Sequence, residues 1–308
     1  MASDARSGSA ESAQADGLRA SVWTGAAERL DRVLPQLGLA RSRSRAAELI
    51  ASGGVRLDGA PAAKAGMRVE PGSRIEVTAA DHYVSRAAAK LLEGLDRFGV
   101  DPAGRIALDV GASTGGFTQV LLERGASAVL AIDVGRDQFA VELRDDPRVR
   151  LVEGCNARDL TPEGLASETG IVERPDLVVA DLSFISLSLV LPAIARTAAP
   201  DAELVLLVKP QFEVGRVRDG VVTDPAQWAE AIRIVLRSAR EHGFAAHGLA
   251  ASPITGGSGN REFLAHFARG ERAGGAAPDP TEWEDRIARL CAPRKLPARS
   301  GARTEGAA

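Results

Sequence analysis

The chain has 308 residues, 45% of them hydrophobic, which is enough apolar material for one large domain and one smaller domain. Its formal net charge of -3 excludes an overall basic protein but permits a local basic face. Two cysteines without metal-ligand or redox spacing, Cys155 and Cys291, are typical of reduced thiols in a cytosolic protein. The N-terminal segment carries acidic residues and no apolar stretch, which excludes an ordinary secretory signal.

Both ends of the chain are rich in Ala, Gly, Ser, Pro and charged residues. Such segments cannot bury a core by themselves, so we expect disordered tails over residues 1–27 and 270–308. Within the second tail, the stretch TEWEDRIARL has the pattern of a short amphipathic helix. The tail is therefore expected to be disordered or partly helical.

Residues 28–78 predict a small α+β domain. Two short helical patterns lead through Gly53 and Gly54 to a strand, a hairpin turn at Asp58-Gly59 and a further strand in SRIEV. Residues 29–78 contain nine basic and five acidic side chains, a balance of +4. Arginines cluster at the start of the second helix, where guanidinium groups and a helix N-terminus can both meet phosphates. From charge alone, a solvated helix face is the more common explanation.

A linker is expected over residues 79–85, followed by a second domain over residues 86–269 that alternates strand and helix patterns. This alternation predicts an open, mostly parallel sheet of seven strands, whose last strand is antiparallel because only the short turn TGGSGN precedes it. The most apolar stretch, residues 177–195, is interrupted by Asp181, three serines and Pro192. It predicts a buried strand followed by a helix, and no membrane span.

The stretch LDVGASTGGF, residues 108–117, places glycines between the first strand and the following helix. Backbone can approach a ligand closely at such a turn. The glycines at 111, 115 and 116 do not have the G-x-G-x-x-G spacing of dinucleotide sites, which favours S-adenosylmethionine, although chain reversal alone is an alternative. The predicted cofactor contacts in this stretch are Asp109, Gly111, Ser113, Gly115 and Phe117.

Two polar residues at the ends of the next strands complete the predicted cofactor site. Asp133 ends the second strand, where a carboxylate can accept hydrogen bonds from both ribose hydroxyls, or can cap a helix instead. Asn156 follows the third strand and is equally compatible with an adenine contact and with a turn.

Lysine is scarce in this chain, with four residues among 38 basic ones, and two of these lysines fall near the predicted sheet edge. Asp181 and Lys209 end successive parallel strands. Glu262 opens the antiparallel last strand, so its direction brings it to the same edge. Lys90 lies on the helix before the first strand and can cap the cleft. Each residue alone is as compatible with a solvated strand end or a helix cap.

The motifs SRAAAKL, DVGASTGGF, ADLSFIS, VKPQFE and GNREF, in this order, resemble the TlyA family of ribosomal RNA ribose 2'-O-methyltransferases. The stretches RLDRVL, SRSRAAELI and GGVRLDG resemble the S4-type RNA-binding domain. The resemblance covers about residues 29–268 and implies a Rossmann-like class I methyltransferase fold that follows an S4-type domain. It implies a catalytic tetrad of Lys90, Asp181, Lys209 and Glu262.

The resemblance also implies S-adenosylmethionine as cofactor, ribosomal RNA or ribosomal subunits as partner, and a cytoplasmic enzyme without a bound metal. The residues expected to bind RNA are Arg29, Arg32, Arg41, Arg43, Arg45 and Arg56. One departure is the linker, which carries Asp-His-Tyr-Val at residues 81–84 where family members have an Arg-x-Trp-Val element.

The chemistry of a ribose hydroxyl explains why a lysine is of interest. This hydroxyl is a poor nucleophile, so methyl transfer requires that its proton be weakened while its oxygen is aligned with the methyl group. We expect Lys209 to take or share this proton, since a poorly hydrated site and the nearby Lys90 favour a neutral amine. The two carboxylates oppose this effect, and the sequence leaves the balance open.

Three other functions are compatible with parts of the sequence. An RNA binder that has lost activity would keep the fold but would not need the tetrad. A membrane-lytic protein would need a long apolar span or a basic amphipathic helix, and the sequence has neither. An oxidoreductase would bind a nicotinamide dinucleotide at the glycine-rich turn.

Overall fold

The structure is a computed structural model that describes residues 18–40, 43–51, 53–78, 83–215, 217, 220–269 and 280–292. The chain divides into two compact units. The first unit comprises the chain up to Ala88 together with Thr114–Gln119, and the second comprises Ala89–Ser113 and the chain from Val120 onward. Linker residues 79–82 and Arg41 lie outside the described residues, so the predictions made for them stay predictions.

The first unit is a small α+β fold, as the sequence predicts. Its elements are, in chain order, β1 (Leu18–Val22), β2 (Glu28–Arg29), α1 (Leu30–Gln36), α2 (Arg43–Ala51), β3 (Val55–Leu57), β4 (Ala60–Pro61), β5 (Arg68–Val69) and β6 (Arg74–Thr78). An antiparallel sheet has the order β1-β6-β3-β4, and β2 pairs separately with β5. The predicted hairpin turn between β3 and β4 is confirmed, since Asp58 and Gly59 have φ angles of 51° and 79°.

The core of the first unit lies between its helices and its sheet. Leu30 and Leu34 from α1, Ile50 from α2 and Ile75 from β6 are all within 3% of complete burial. These residues recur at helical spacing in α1 and at alternate positions in β6, which explains why short segments of this sequence hold together.

Residues 18–22 differ from the sequence-based expectation, because they form a strand where a disordered tail was predicted. Strand β1 pairs antiparallel with β6 along its whole length, from Leu18 opposite Thr78 to Val22 opposite Arg74. The short pattern LRASV has little hydrophobic periodicity of its own. Its structure comes from the backbone hydrogen bonds that the edge of β6 offers.

The second unit contains the large sheet. Its elements are, in chain order and with α4 shared between the units, α3 (Ala88–Phe98), β7 (Ile106–Val110), α4 (Gly116–Glu123), β8 (Ala128–Asp133), α5 (Val141–Arg144), β9 (Val149–Glu153), a 3₁₀ turn (Ala157–Asp159), α6 (Pro162–Thr169), β10 (Leu177–Ala180), α7 (Leu187–Thr197), β11 (Glu203–Val208), α8 (Pro210–Glu213), α9 (Pro225–Glu241), β12 (Ala245–Ala251), β13 (Phe263–Ala268) and α10 (Pro280–Cys291). The strand order is β12-β13-β11-β10-β7-β8-β9.

Only β13 runs against the other six strands of this sheet, since it is antiparallel to both β11 and β12. This confirms the predicted seven-stranded sheet with an antiparallel last strand, and the order is that of class I methyltransferases. The stretch 177–195 is confirmed as a buried strand, β10, followed by a helix, α7. Among the described residues no helix combines the length and apolar character needed to cross a bilayer.

The helix α10 lies beyond the predicted second domain, in the segment expected to be disordered or partly helical. Trp283, Ile287 and Cys291 are buried in the same hydrophobic core as the sheet. Arg233 of α9 forms an ion pair with Glu284 at 2.7 Å. This part of the tail is therefore helical, because its apolar face at helical spacing has a core to cover.

Candidate active site

The four side chains predicted to act together do meet in the second unit. Lys90 Nζ lies 3.1 Å from Asp181 Oδ2 and 2.7 Å from Glu262 Oε2. Lys209 Nζ lies 2.6 Å from Asp181 Oδ1 and donates a hydrogen bond to Ser183 Oγ at 2.9 Å. Asp181 thus bridges two ammonium groups, and we refer to Lys90, Asp181, Lys209 and Glu262 as the tetrad.

Strand direction explains this convergence. Asp181 directly follows β10 and Lys209 directly follows β11, so both lie at the carboxyl edge of the parallel strands. Glu262 directly precedes β13, whose reversed direction brings its first residue to the same edge. Lys90 is in the first turn of α3. Residues separated by more than 170 positions along the chain are therefore within ion-pair distance.

The tetrad is almost completely removed from water. Side-chain exposure is 8% for Lys90, 9% for Lys209, 12% for Asp181 and 2% for Glu262. Two ammonium groups and two carboxylates balance formally, which makes their burial tolerable. Lys90 contacts two carboxylates, whereas Lys209 contacts one carboxylate and one neutral hydroxyl. Of the two lysines, Lys209 therefore has fewer anionic partners among the described residues.

Glu262 is held in position by residues that sequence reasoning did not identify. The buried amide of Asn260 accepts a hydrogen bond from Val222 N at 2.9 Å and donates one to Gly220 O at 2.8 Å. A Cβ added to Gly256 would lie 2.5 Å from Glu262 Oε1, so the carboxylate lies directly against this glycine and would have to shift for any larger residue. The turn TGGSGN therefore sets the position of Glu262 as well as the direction of the strand.

A second carboxylate, Glu213, joins the segments that follow β10 and β11. It accepts hydrogen bonds from Ser186 Oγ at 2.5 Å and from Leu187 N at 2.8 Å, at the start of α7. Burial raises the pKa of Glu213, although these two donors act in the opposite direction. The loop between Asp181 and Ser186 is thus tied at both ends to the chain that carries Lys209.

A cavity of about 570 Å³ opens at the carboxyl edge of the sheet. Asp181 and Ser183 form part of its wall, so the tetrad adjoins this cavity. The other lining residues come from the end of β8 and from the segments that follow β7, β8, β9 and β10: Gly111, Ser113, Ile132, Asp133, Val134, Gly135, Gln138, Cys155, Asn156, Ala157, Arg158, Leu182, Phe184 and Ile185. This location is where open α/β sheets bind their ligands.

Four of the seven predicted cofactor residues line this cavity, namely Gly111, Ser113, Asp133 and Asn156. Gly111 has a φ angle of 88°, and a Cβ added to it would lie 3.1 Å from the Asp181 carbonyl oxygen. Asp109, Gly115 and Phe117 are described by the structure but are not among the lining residues. Asp109 is fully buried within β7, one residue before the strand ends.

The two polar residues predicted at strand ends have local partners as well. Asp133 accepts hydrogen bonds from Ser113 N at 2.8 Å and Gly135 N at 2.7 Å. Each carboxylate oxygen has a further lone pair, so the group can still accept from a ligand. Asn156 caps the 3₁₀ turn through a bond from Arg158 N at 3.2 Å, as its turn-forming alternative predicts.

Beside the cavity lies an open groove that the sequence prediction missed. Phe184 is 91% exposed and has a φ angle of 66°, a conformation that is strained for an aromatic residue. Its ring centroid lies 5.4 Å from that of Phe212. The groove is lined by Arg158, Phe184, Ile185, Ser186, Leu189, Gln211 and Phe212. The motif ADLSFIS could have indicated the exposed Phe184, since an aromatic residue in a loop after a strand is exposed unless another part of the chain covers it.

Comparison with known proteins identifies the family. Residues 83–269 match the model of FtsJ-like methyltransferases, and residues 28–75 match that of the S4 domain. A 16S/23S rRNA (cytidine-2'-O)-methyltransferase TlyA from Mycobacterium tuberculosis is 51% identical over 77% of this chain and 88% of its own length. The chain belongs to the TlyA family of FtsJ-like methyltransferases.

Two further relatives are named as hemolysins. Hemolysin A from Brachyspira hyodysenteriae is 36% identical over 78% of this chain and 99% of its own length. A solved structure of a candidate hemolysin from Streptococcus thermophilus has a TM-score of 0.64 and 36% identity, and it covers 86% of this chain and 96% of its own.

The arginines predicted to bind RNA all lie in the S4 domain of this TlyA-family chain. Arg29 and Arg43 both contact the carboxylate of Asp31. Arg32 lies 3.5 Å from Glu28, and Arg45 lies 2.7 Å from Glu48. Arg56 donates two hydrogen bonds to the carbonyl oxygen of Gly59 in the hairpin turn. Arg41 lies outside the described residues.

Proposed function

We propose that this protein transfers the methyl group of S-adenosylmethionine to a ribose 2'-hydroxyl of ribosomal RNA, with a cytidine as the target nucleotide. The observation that carries this proposal is the buried tetrad at the wall of the cavity. The relative from Mycobacterium tuberculosis is named for this reaction on both 16S and 23S RNA. An enzyme acting on ribosomal RNA works where ribosomes are assembled, so we expect a cytoplasmic protein.

The cavity suits S-adenosylmethionine in size and lining. Its volume is in the range of small-molecule sites, and it combines apolar side chains such as Ile132, Leu182 and Ile185 with a few fixed polar groups. Asp133 would accept from the ribose hydroxyls of the cofactor, and the amide of Asn156 would face its adenine. Gly111 leaves room for close approach of the backbone. When bound, the cofactor supplies a methyl group on a positively charged sulfur.

Within the tetrad, Lys209 would take the proton of the ribose 2'-hydroxyl as the oxygen attacks the methyl carbon. Ser183 and Asp181 hold its Nζ in place and line the cavity wall, so a hydroxyl at this wall would be within reach. Lys90 and Glu262 would keep the Asp181 carboxylate oriented. A fixed base in a water-poor site contributes about 10²–10⁴-fold to a proton transfer.

The groove would receive the base of the target nucleotide. An exposed phenylalanine such as Phe184 offers a flat surface on which an unstacked base can lie. Arg158, which lines both the cavity and the groove, adds a positive charge for an adjacent phosphate. Strain at Phe184 is consistent with such a role, because strained residues persist mainly at functional sites.

The test is Lys209→Arg, which keeps the positive charge but removes a group that can act as a base. We expect the rate of methyl transfer to ribosomal RNA to fall by about 100-fold or more, with S-adenosylmethionine binding within about threefold of the parent. Mass spectrometry of nuclease digests would locate and quantify 2'-O-methylcytidine. Near-normal methylation by this variant would refute the role of Lys209.

Lys64→Arg is the matched control, because Lys64 is an exposed lysine of the S4 domain and the same substitution there should leave the rate unchanged. Three further measurements distinguish the alternative functions. Loss of methylation in Lys90→Ala with RNA binding intact favours an enzyme over a pure RNA binder. Equilibrium binding of S-adenosylmethionine against NAD distinguishes a methyltransferase from an oxidoreductase, and a liposome leakage assay tests for lytic activity.

A further inference from the structure

One buried carboxylate in the first unit is bonded to two arginines. Asp31 Oδ1 accepts from Arg29 Nε at 3.0 Å, and Asp31 Oδ2 accepts both from Arg29 Nη2 and from Arg43 Nε, each at 3.0 Å. The Asp31 side chain is 5% exposed. We refer to these three residues as the Asp31 cluster.

The cluster joins two elements that the chain keeps apart. Asp31 is in the first turn of α1, directly after the strand β2 that carries Arg29, and its backbone N–H donates to Ala65 O at 3.0 Å. Arg43 begins α2, twelve residues further along. The backbone of Asp31 is held by helix α1 and by the bond to Ala65. Its carboxylate is therefore a fixed anchor for two long side chains that would otherwise sample many rotamers.

The charge of the anchor is secure. Hydrogen bonds from Arg29, followed by those from Arg43, lower the pKa of Asp31 to about 2, although burial acts in the opposite direction. Asp31 is therefore ionised at any pH at which the protein would work, and it compensates the repulsion between two guanidinium groups that share one of its oxygens.

Both guanidinium groups still face solvent. The side chains of Arg29 and Arg43 are 47% and 54% exposed. Arg29 uses one edge for the bidentate pair with Asp31, and Arg43 uses its Nε alone, so each retains N–H groups for a ligand. Two other arginine pairs of this unit are more open to water, since Arg45 meets Glu48 and Arg68 meets Glu70, whose side chains are 64% and 60% exposed. A solvated pair of that kind orders its side chains only weakly.

We propose that Asp31 is a positioning residue of the RNA-binding surface, which presents Arg29 and Arg43 as a preset pair for a backbone phosphate of RNA. This inference rests on the proposed function only in taking RNA as the ligand. Binding gains from such an arrangement because the entropy of ordering two arginine side chains has been lost before RNA arrives.

For the change in RNA affinity on replacing Asp31, the proposal and simple electrostatics predict opposite signs. Asp31→Asn removes a negative charge from a surface that binds a polyanion, so charge alone predicts tighter binding. Release of the two arginines predicts weaker binding. The sign of the change in Kd therefore decides between the two explanations.

The experiment uses the full chain and transcribed 23S ribosomal RNA, with Kd measured by filter binding from about 50 to about 200 mM salt. Asp31→Asn should raise Kd about tenfold. The slope of log Kd against log salt concentration should decrease by the amount expected for the loss of about one phosphate contact. Glu70→Gln is the matched control, because this exposed acid pairs with Arg68 in the same unit. The Kd of this variant for RNA should equal that of the parent or be lower. Equal or tighter binding by Asp31→Asn would overturn the proposal.

A second background separates positioning from loss of fold. In Arg29→Gln/Arg43→Gln, the buried carboxylate has lost its arginine partners, so adding Asp31→Asn should raise the melting temperature and leave Kd unchanged or lower. If Asp31→Asn weakens RNA binding as much in this background as in the parent, Asp31 acts through the fold and the proposal is wrong. This outcome is decided without any measurement of methyl transfer.

The same design keeps the proposed function apart from this inference. An inactive protein whose RNA binding weakens in Asp31→Asn would refute the methyltransferase proposal and support the role of Asp31. An active enzyme whose RNA binding is unaffected by Asp31→Asn would do the reverse.

Discussion

In the first unit Asp31 bridges two arginines, and in the second unit Asp181 bridges two lysines. The anions are similar, with side chains that are 5% and 12% exposed, but their partners differ. Arg29 and Arg43 are about half exposed, whereas Lys90 and Lys209 are less than 10% exposed.

This difference assigns the two clusters to different chemistry. Arginine keeps its proton in proteins and its guanidinium can bond an anchor and a phosphate at once, so an exposed arginine pair suits binding. Lysine can release its proton when it is held away from water, so a buried lysine pair suits catalysis. The cation and its hydration, more than the shared aspartate, determine what each cluster can do.

The largest expected effect comes from removing the bridge in the second unit. Asp181→Asn would leave two buried ammonium groups near each other, so we expect methyl transfer to fall more than about 100-fold and the unit to lose about 3–5 kcal/mol of stability. Asp31→Asn should cost only about 1 kcal/mol, because its arginines can return to water. Urea unfolding followed by hydrogen exchange would report each unit separately.

Asp145→Asn is the control for this comparison, as an exposed aspartate of the second unit whose loss should change stability by less than about 0.5 kcal/mol. An Asp181→Asn variant as stable as Asp145→Asn would show that the two lysines do not need their bridge, and the contrast between the units would fail.

Acid should affect the two units in different pH ranges. Burial, with Arg105 as a second cause, lowers the pKa of His266 to about 4. An unfolded histidine binds a proton near pH 6.5. The contribution of neutral His266 to the stability of the second unit is therefore complete above about pH 6.5 and is lost as the pH falls towards about 4. Asp31, with a pKa of about 2, contributes fully above about pH 4 and loses its contribution only below it.

We therefore expect the second unit to lose stability first on acidification, through protonation of His266 between about pH 7 and pH 4. Hydrogen exchange at a series of pH values measures this order. His266→Gln should make the stability of the second unit less dependent on pH in this range. Opening of the first unit at a higher pH than the second would contradict the prediction.

The proposed RNA contacts of the two units should differ in their response to salt. Phe184→Ala should raise KM for RNA about tenfold, as expected for the loss of one stacked base, with an effect that does not change with ionic strength. The effect of Asp31→Asn should shrink at high salt. Leu189→Ala is the control, since Leu189 is exposed in the same groove but has no aromatic face. A salt-dependent effect of Phe184→Ala would argue against stacking.

The smallest expected effect comes from a neutral change beside the Asp31 cluster. A Cβ added to Gly66 would lie 2.9 Å from Arg29 Nη1, the end of a flexible side chain, so Gly66→Ala displaces Arg29 at little cost to the fold. We expect Kd for RNA to rise about two- to threefold without any change in net charge. An unchanged Kd with an unchanged melting temperature would mean that Arg29 needs no fixed position.

Much of the second unit is predictable because strand direction follows from connection length. Long crossovers make β7 to β11 parallel, and the short turn before β13 reverses it, so Asp181, Lys209 and Glu262 had to reach one edge. The sequence could not predict what holds them there. Asn260 bonds to Gly220 and Val222, nearly forty residues away, and no local pattern indicates such a partner.

The cofactor residues show where local pattern ends. Of the residues predicted to bind the cofactor, Gly111, Ser113, Asp133 and Asn156 line the cavity, while Asp109, Gly115 and Phe117 do not. A glycine-rich turn predicts close approach of the backbone, but it does not tell which side of the turn faces the cavity. Phe184 was missed for a related reason, since exposure of a phenylalanine depends on whether another part of the chain covers it.

By itself the sequence determined the order of the two folds, the sheet edge at which the tetrad gathers and the segment in which the arginines cluster, because periodicity and connection length are local properties. Only the tertiary structure decided that Asp31 anchors two arginines, that Lys209 has one carboxylate partner where Lys90 has two, and that residues 18–22 complete a sheet. Those outcomes depend on which groups meet across the fold and how much water reaches them, and neither is encoded in a short stretch of chain.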